Sequence, residues 1–177
     1  MIEPWEKYPH IWKSKAAFFT YLRGALRKAV WNMYPPKLDF KNKNCYPPPE
    51  GMITRAKSGT YCALSGEWVG KSASEVDHLR GNASLKGWED VLPFLEHLCL
   101  RCEGDNLQLV TKEAHKIKSY AEKHNISYEE AAISKKAIAI CKGDVKLWLE
   151  QRGVTPASNA TKRRQQVMEV LKDEDSP

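Results

Sequence analysis

Chemically capable side chains gather in three stretches: Glu75-Val76-Asp77-His78, Asp105-Asn106-Leu107-Gln108 and Lys112-Glu113-Ala114-His115-Lys116-Ile117-Lys118. A neutral imidazole accepts a proton near pH 7. One carboxylate plus one imidazole leaves most of an octahedral shell to water and phosphate, which suits Mg²⁺ or Mn²⁺, whereas a closed zinc site needs more ligands. A lone Asp-His pair means little, because most histidines are packed or surface residues. Asp-His followed in order by Asn-Leu-Gln and then by a helical His-Lys is a more specific set.

The pattern around these residues is that of an α+β core over residues 51–125. Short extended pieces are separated by Gly and Ser, and Ser74 to Asp77 forms a first strand. Val91, Leu92, Leu95 and Leu98 mark one side of a helix around Asp90 to Leu100. Asn106 to Val110 is a second apolar strand, and Thr111 to His124 continues as a helix with Ala114, Ile117 and Ala121 inward and His115 beside that stripe. Asp77 and His78 are neighbours, so a regular strand sends them to opposite faces, and bringing them together requires a bend.

Residues 1–50 read as a basic arm. Ser14 caps a helix to Asn32, Arg23 and Arg27 share one of its faces, and Pro35-Pro36 stops it, with Tyr46-Pro47-Pro48-Pro49 as a stiff boundary. Residues 126–177 read as a helical module: a capping box at Ser127-Tyr128-Glu129-Glu130, two helices split at Gly143-Asp144, and a last helix toward Leu171 after Gly153 and Pro156. Trp148 and Leu149 anchor it, and Lys162, Arg163 and Arg164 form a basic cluster. Packed scaffold with a solvated charged face accounts for the arm's helix and for this cluster as well as DNA contact does.

Over about Tyr61 to Glu122 the ordered set resembles the HNH endonuclease family, and its flanks are similar to phage-encoded, freestanding homing-type members. The resemblance implies a ββα-metal core in which a two-stranded ribbon lies against a helix, here with a long helical insertion from Leu79 to Glu103. It implies that His78 is the general base, that Asp77 and His115 hold one divalent ion, and that Asn106 bridges the strands and orients His78. Lys112, Lys116 and Lys118, with Arg23 and Arg27, become contacts to DNA phosphates. The expected activity is hydrolysis of a phosphodiester bond in double-stranded DNA. One such site cuts one strand, so a monomer or weak dimer should nick.

The chain departs from the family at its zinc pairs: Ser65 stands where the partner of Cys62 in a C-x-x-C pair would be, and no cysteine lies between Val110 and Ala114, so structural zinc is not expected. Cys99-Leu100-Arg101-Cys102 has ligand spacing without a second pair and reads as core, while His97 and His124 read as packed or surface residues. An export signal is not expected from MIEPWEKYPHIW, and the five cysteines in 177 residues are therefore expected to be reduced. Lys and Arg outnumber Asp and Glu by 28 to 22, which favours a polyphosphate partner. No apolar run is long enough to cross a membrane. The cytoplasm, of a phage-infected host if the resemblance holds, is the expected location, with no obligate protein partner. The competing readings are a nonenzymatic DNA-binding or packaging-associated module on the same scaffold, and a toxic nuclease, which would carry a delivery segment.

Overall fold

The computed structural model describes residues 2–81, 83–100 and 106–174, with only the backbone at Leu100. Arg101, Cys102, Glu103 and Asp105, which belong to the stretches singled out above, lie outside the described residues. The chain has mixed helix and sheet, and it divides into two compact units, Met1–Ala114 and His115–Pro177. Among the described residues no helix is long and apolar enough to cross a membrane.

In the first unit a short helix α1 (Pro4–Lys7) precedes α2 (Lys15–Ala29). Ser14 caps α2 as its residue type predicts, its Oγ accepting the Ala17 N–H at 3.2 Å. The helix ends at Ala29, a tight turn over Trp31–Met33 follows, and Pro35 then opens α3 (Pro35–Lys43). The prolines therefore start a helix, and α2 has already ended before them. A proline in the first turn loses nothing, because that turn has no intrahelical use for its N–H.

The first fifty residues are not packed apart from the core. Phe18 and Phe19 form one cluster with Leu85, Phe94 and Leu98 of the insertion, joined by Trp5, Trp12 and Trp31, and Trp88 Nε1 donates to Glu3 Oε2 at 2.8 Å. Burying one such phenylalanine is worth about 1.5–3 kcal/mol, so this cluster is a main source of the unit's stability.

Beyond the proline run, β1 (Gly59–Tyr61) and β2 (Trp68–Gly70) form an antiparallel hairpin. A second antiparallel ribbon pairs β3 (Ser74–His78) with β4 (Leu107–Thr111) in the register Val76↔Leu109, Asp77↔Gln108, His78↔Leu107. Between these strands the insertion winds through a tight turn at Trp88–Asp90, α4 (Val91–Leu95) and a wide turn at Glu96–Leu100. The buried stripe differs from the expected one: Phe94, at 1% exposure, and Leu98 are inward, whereas Leu92 is 64% exposed. The underside of the β3–β4 ribbon is a core of Val76, Leu107 and Leu109 packed with Trp31, Phe40 and Cys45.

Helix α5 (Lys112–His124) follows β4 directly. Thr111, the last residue of the strand, also caps the helix, its Oγ1 accepting from Ala114 N at 3.0 Å. Asn125, at φ 52, takes up the left-handed conformation that closes it.

In the second unit α6 (Tyr128–Ile140) opens with the expected reciprocal box, Glu130 N to Ser127 Oγ at 3.1 Å and Ser127 N to Glu130 Oε2 at 3.2 Å. Asp144 caps α7 (Val145–Glu150), Gly153 turns the chain at φ 73, and α8 (Ala160–Glu174) packs back on α6. Ala137, Leu149, Val167 and Leu171 are the core of this module, with Trp148 against its edge. Arg163 donates to the carbonyls of Ala157 and Ser158 at 2.8 and 2.7 Å, and Arg164 donates to Tyr120 Oη at 3.2 Å. Two members of the basic cluster thus hold the module together.

Candidate active site

Asp77 and His78 are the last residues of β3 and are buried, at 9% and 8% exposure. The ladder stays regular through both, so the expected bend is not between them; the chain turns afterwards, at Leu79 and Arg80. Pleating puts Asp77 with its partner Gln108 on one face, and His78 with Val76, Leu107 and Leu109 on the other. The two groups straddle the end of a narrow ribbon.

On the Asp77 face, Gln108 Nε2 donates to Asp77 Oδ2 at 2.9 Å. A carboxylate oriented by an amide is suited to hold a hard cation, since outer hydrogen bonds set the direction of a metal ligand. Arg27 of α2 acts electrostatically on the same carboxylate. Burial first, and then Arg23, hold the Arg27 guanidinium below its ordinary value, while Asp77 works in the opposite direction. Arg23 and Arg27 do share a face of α2, and Arg27 reaches the field of Asp77.

On the other face His78 is covered by aromatic rings. The Trp31 indole is stacked on it with centroids 4.5 Å apart and planes 30° apart, and the His97 ring lies 4.7 Å away. Lys37 Nζ in turn lies 4.8 Å from the Trp31 centroid. Ring stacking covers the faces of an imidazole and leaves its nitrogens at the edge, so the column fixes the plane in which a proton can be exchanged. Trp31 and His97 carry no local pattern pointing to this role; His97 instead reads as a packed or surface residue.

Asn106 stands one residue before β4 and is half-buried. Its carbonyl accepts the Leu79 N–H at 2.9 Å, adding a rung beyond His78 and closing the strand end. The Asn-Leu-Gln sequence thus contributes twice, through the Asn106 backbone and the Gln108 side chain. His115 is half-buried on α5, in the second unit. Of the lysines on α5, Lys112 and Lys116 are exposed, while Lys118 is drawn toward Glu122 at 3.5 Å with 13% of its side chain exposed. His124 packs on Tyr120, centroids 4.2 Å apart.

Cys62 occupies the first position of the broken zinc pair. Its sulfur accepts the N–H of Ser65 at 3.4 Å and of Thr111 at 3.3 Å, tying the 62–66 turn to the end of β4. Burial pushes this thiol up, but the hydrogen bonds from Ser65, Thr111 and Leu64 outweigh it and hold it below the ordinary value. Cys99 packs against the Phe18–Phe94 cluster. The described thiols, Cys45, Cys62, Cys99 and Cys141, are free. Among the described residues no group of three or more His, Cys, Asp or Glu side chains is gathered to hold a metal.

Compared with protein-family models, with curated proteins and with solved structures, the chain matches none.

Proposed function

We propose that this chain is a metal-dependent endonuclease of the HNH type that hydrolyses one phosphodiester bond in duplex DNA, nicking one strand. The observation that carries the reading is the end of the β3–β4 ribbon: Asp77-His78 is registered against Leu107-Gln108, and a helix bearing His115 follows at once. This is the strand–strand–helix order on which the ββα-metal reading depends. The donor set fits a hard divalent ion, because Asp77 offers a carboxylate already oriented by Gln108 and His115 offers an imidazole. That pairing of ligands rests on the sequence pattern. Bound there, Mg²⁺ or Mn²⁺ would supply positive charge against the charge growing on the phosphate and the departing oxygen.

The residues themselves account for the remaining steps. His78, held in plane by Trp31 and His97, takes a proton from water through its ring edge as the water oxygen bonds to phosphorus and the 3′ oxygen leaves. Arg27 and Arg23 line the approach to Asp77 with positive charge and attract the polyanion. A mobile-element, homing-type role is part of the same reading, through the phage-like flanks.

A nonenzymatic DNA-binding module is favoured by one observation, the burial of His78 between two rings. Supercoiled plasmid separates the two readings. Wild-type protein with Mg²⁺ or Mn²⁺ should give nicked circles, chelator should stop it, and His78→Ala should slow it by about 10²–10⁴-fold with DNA binding retained. Binding without cleavage on every DNA tried would make the chain a binding module, and undiminished cutting by His78→Ala would remove His78 as the base.

A further inference from the structure

A second feature of the first unit is a basic cleft of about 500 Å³. Lys41 and Asn42 of α3, Lys57 and Ser58 ahead of β1, and Lys71 and Ser72 from the turn before β3 line it, around a partly apolar floor of Leu38 and Ala56. No Asp or Glu is among its described lining residues. We propose that this cleft holds backbone phosphates of duplex DNA, a few base pairs from the bond that is cut.

Three lysines line the cleft, and the head groups of two are held by hydrogen bonds. Lys41 Nζ donates to the Ser74 carbonyl at 2.6 Å, and Lys71 Nζ donates to Asn42 Oδ1 at 2.6 Å. An ammonium has three N–H donors, so one internal bond leaves capacity for a ligand, and a head group already positioned loses less freedom on binding. The Ser58 and Ser72 hydroxyls add the neutral donors common at phosphate contacts. Burial first, with Lys71 and Lys112 adding to it, keeps Lys41 below its ordinary value although Cys45 and Glu75 act the other way. Like charges thus work against one another in the cleft until an anion enters, and the positive field runs on to Lys112 at the start of α5. Lys43, by contrast, is already paired with Asp39 at 2.7 Å.

The spacing gives the register. Strand β3 runs from Ser74, beside the cleft, to His78, and four steps of about 3.3 Å make about 13 Å. Duplex DNA rises about 3.4 Å per base pair, so a duplex lying along β3 would put in the cleft a phosphate about four base pairs from the one facing His78. This register rests on the nuclease reading; the affinity of the cleft for phosphate does not.

The test uses the full chain, a short labelled DNA duplex and chelator, so that nothing is cut. Lys57→Ala/Lys71→Ala should make the plot of log affinity against log salt shallower by about two and lower affinity at 0.1 M salt on the order of tenfold or more. Acetylation of the wild-type protein, read by mass spectrometry, needs no variant to fold: duplex DNA should protect Lys57 and Lys71. An unchanged salt slope in a folded double variant, equal labelling of both lysines with and without bound DNA, or protection by duplex RNA but not DNA overturns the proposal. Protected lysines in a protein that does not cut with Mg²⁺ would leave the cleft standing and remove only the nuclease reading.

Discussion

Trp31 lies over the His78 imidazole at 4.5 Å, although the two are brought together from separate elements, a turn after α2 and the end of β3. The contact makes the orientation of the proposed base a property of the amino-terminal helices. It also links the proposed base to the packing of the first fifty residues, since Trp31 packs against the clusters beneath α2 and beneath the ribbon.

Removing this ring should separate orientation from binding. Trp31→Ala is expected to slow nicking by roughly a hundredfold through loss of base alignment, while affinity for DNA is maintained. It should also lower stability by about 2–4 kcal/mol through the cavity it leaves, so rates must be compared below the variant's melting temperature. Trp31→Phe should retain most of the rate. If folded Trp31→Ala nicks as fast as wild type, the stack does not align His78.

Gln108 tests the other face. Gln108→Leu leaves Asp77 Oδ2 without the amide that now donates to it at 2.9 Å. The Mg²⁺ concentration for half-maximal nicking should rise about 10–100-fold, the usual effect of losing an outer hydrogen bond to a ligand. A metal titration is the readout, and an unshifted midpoint would show that Gln108 does not support a metal ligand.

The Cys62 thiol gives a pH dependence. Its pKa is lower in the folded protein, because the hydrogen bonds from Ser65, Thr111 and Leu64 outweigh burial. The folded state therefore binds fewer protons than the unfolded state between the two values. Stability supplied by the thiolate is present above the unfolded value, about 8.5, and is lost as pH falls through the lower folded value. Urea denaturation at several pH values should show wild type gaining on Cys62→Ala as pH rises through this window. A gap that is constant, or that narrows, contradicts the sulfur's role as an acceptor.

Gly59 is held by space. A Cβ there would meet the Val69 carbonyl and the Trp68 ring of the paired strand. Gly59→Ala should therefore destabilise the chain by about 1–3 kcal/mol, as overpacking does. A thermal melt is sufficient, and an unchanged melting temperature would mean that the hairpin adds nothing to stability.

Much of the architecture could be read locally. The caps at Ser14 and Ser127, the break at Gly143-Asp144, the turn at Gly153 and the two strands around Asp77 and Asn106 all follow from short-range chemistry, and the structure has them within a residue or so. Three expectations failed. Helix α2 ends at Ala29, before Pro35, which instead begins α3; the buried stripe of the insertion is Phe94 and Leu98, with Leu92 facing out; and the β3–β4 ladder runs regularly through Asp77 and His78, where a bend was expected.

What the sequence by itself determined was which chemical groups stand in which order: Asp77 and His78, then Asn106 and Gln108, then His115. Strand alternation and helix periodicity act over a few residues, and that order survives in any fold. Only the tertiary structure decided what surrounds them. Trp31 and His97 meet on His78, Gln108 donates to Asp77, Arg27 acts on that carboxylate, and Lys41, Lys57 and Lys71 meet in one cleft. These partners are distant in sequence and come together because burying the apolar residues of α2, the insertion and the ribbon in shared clusters stabilises one arrangement of the elements.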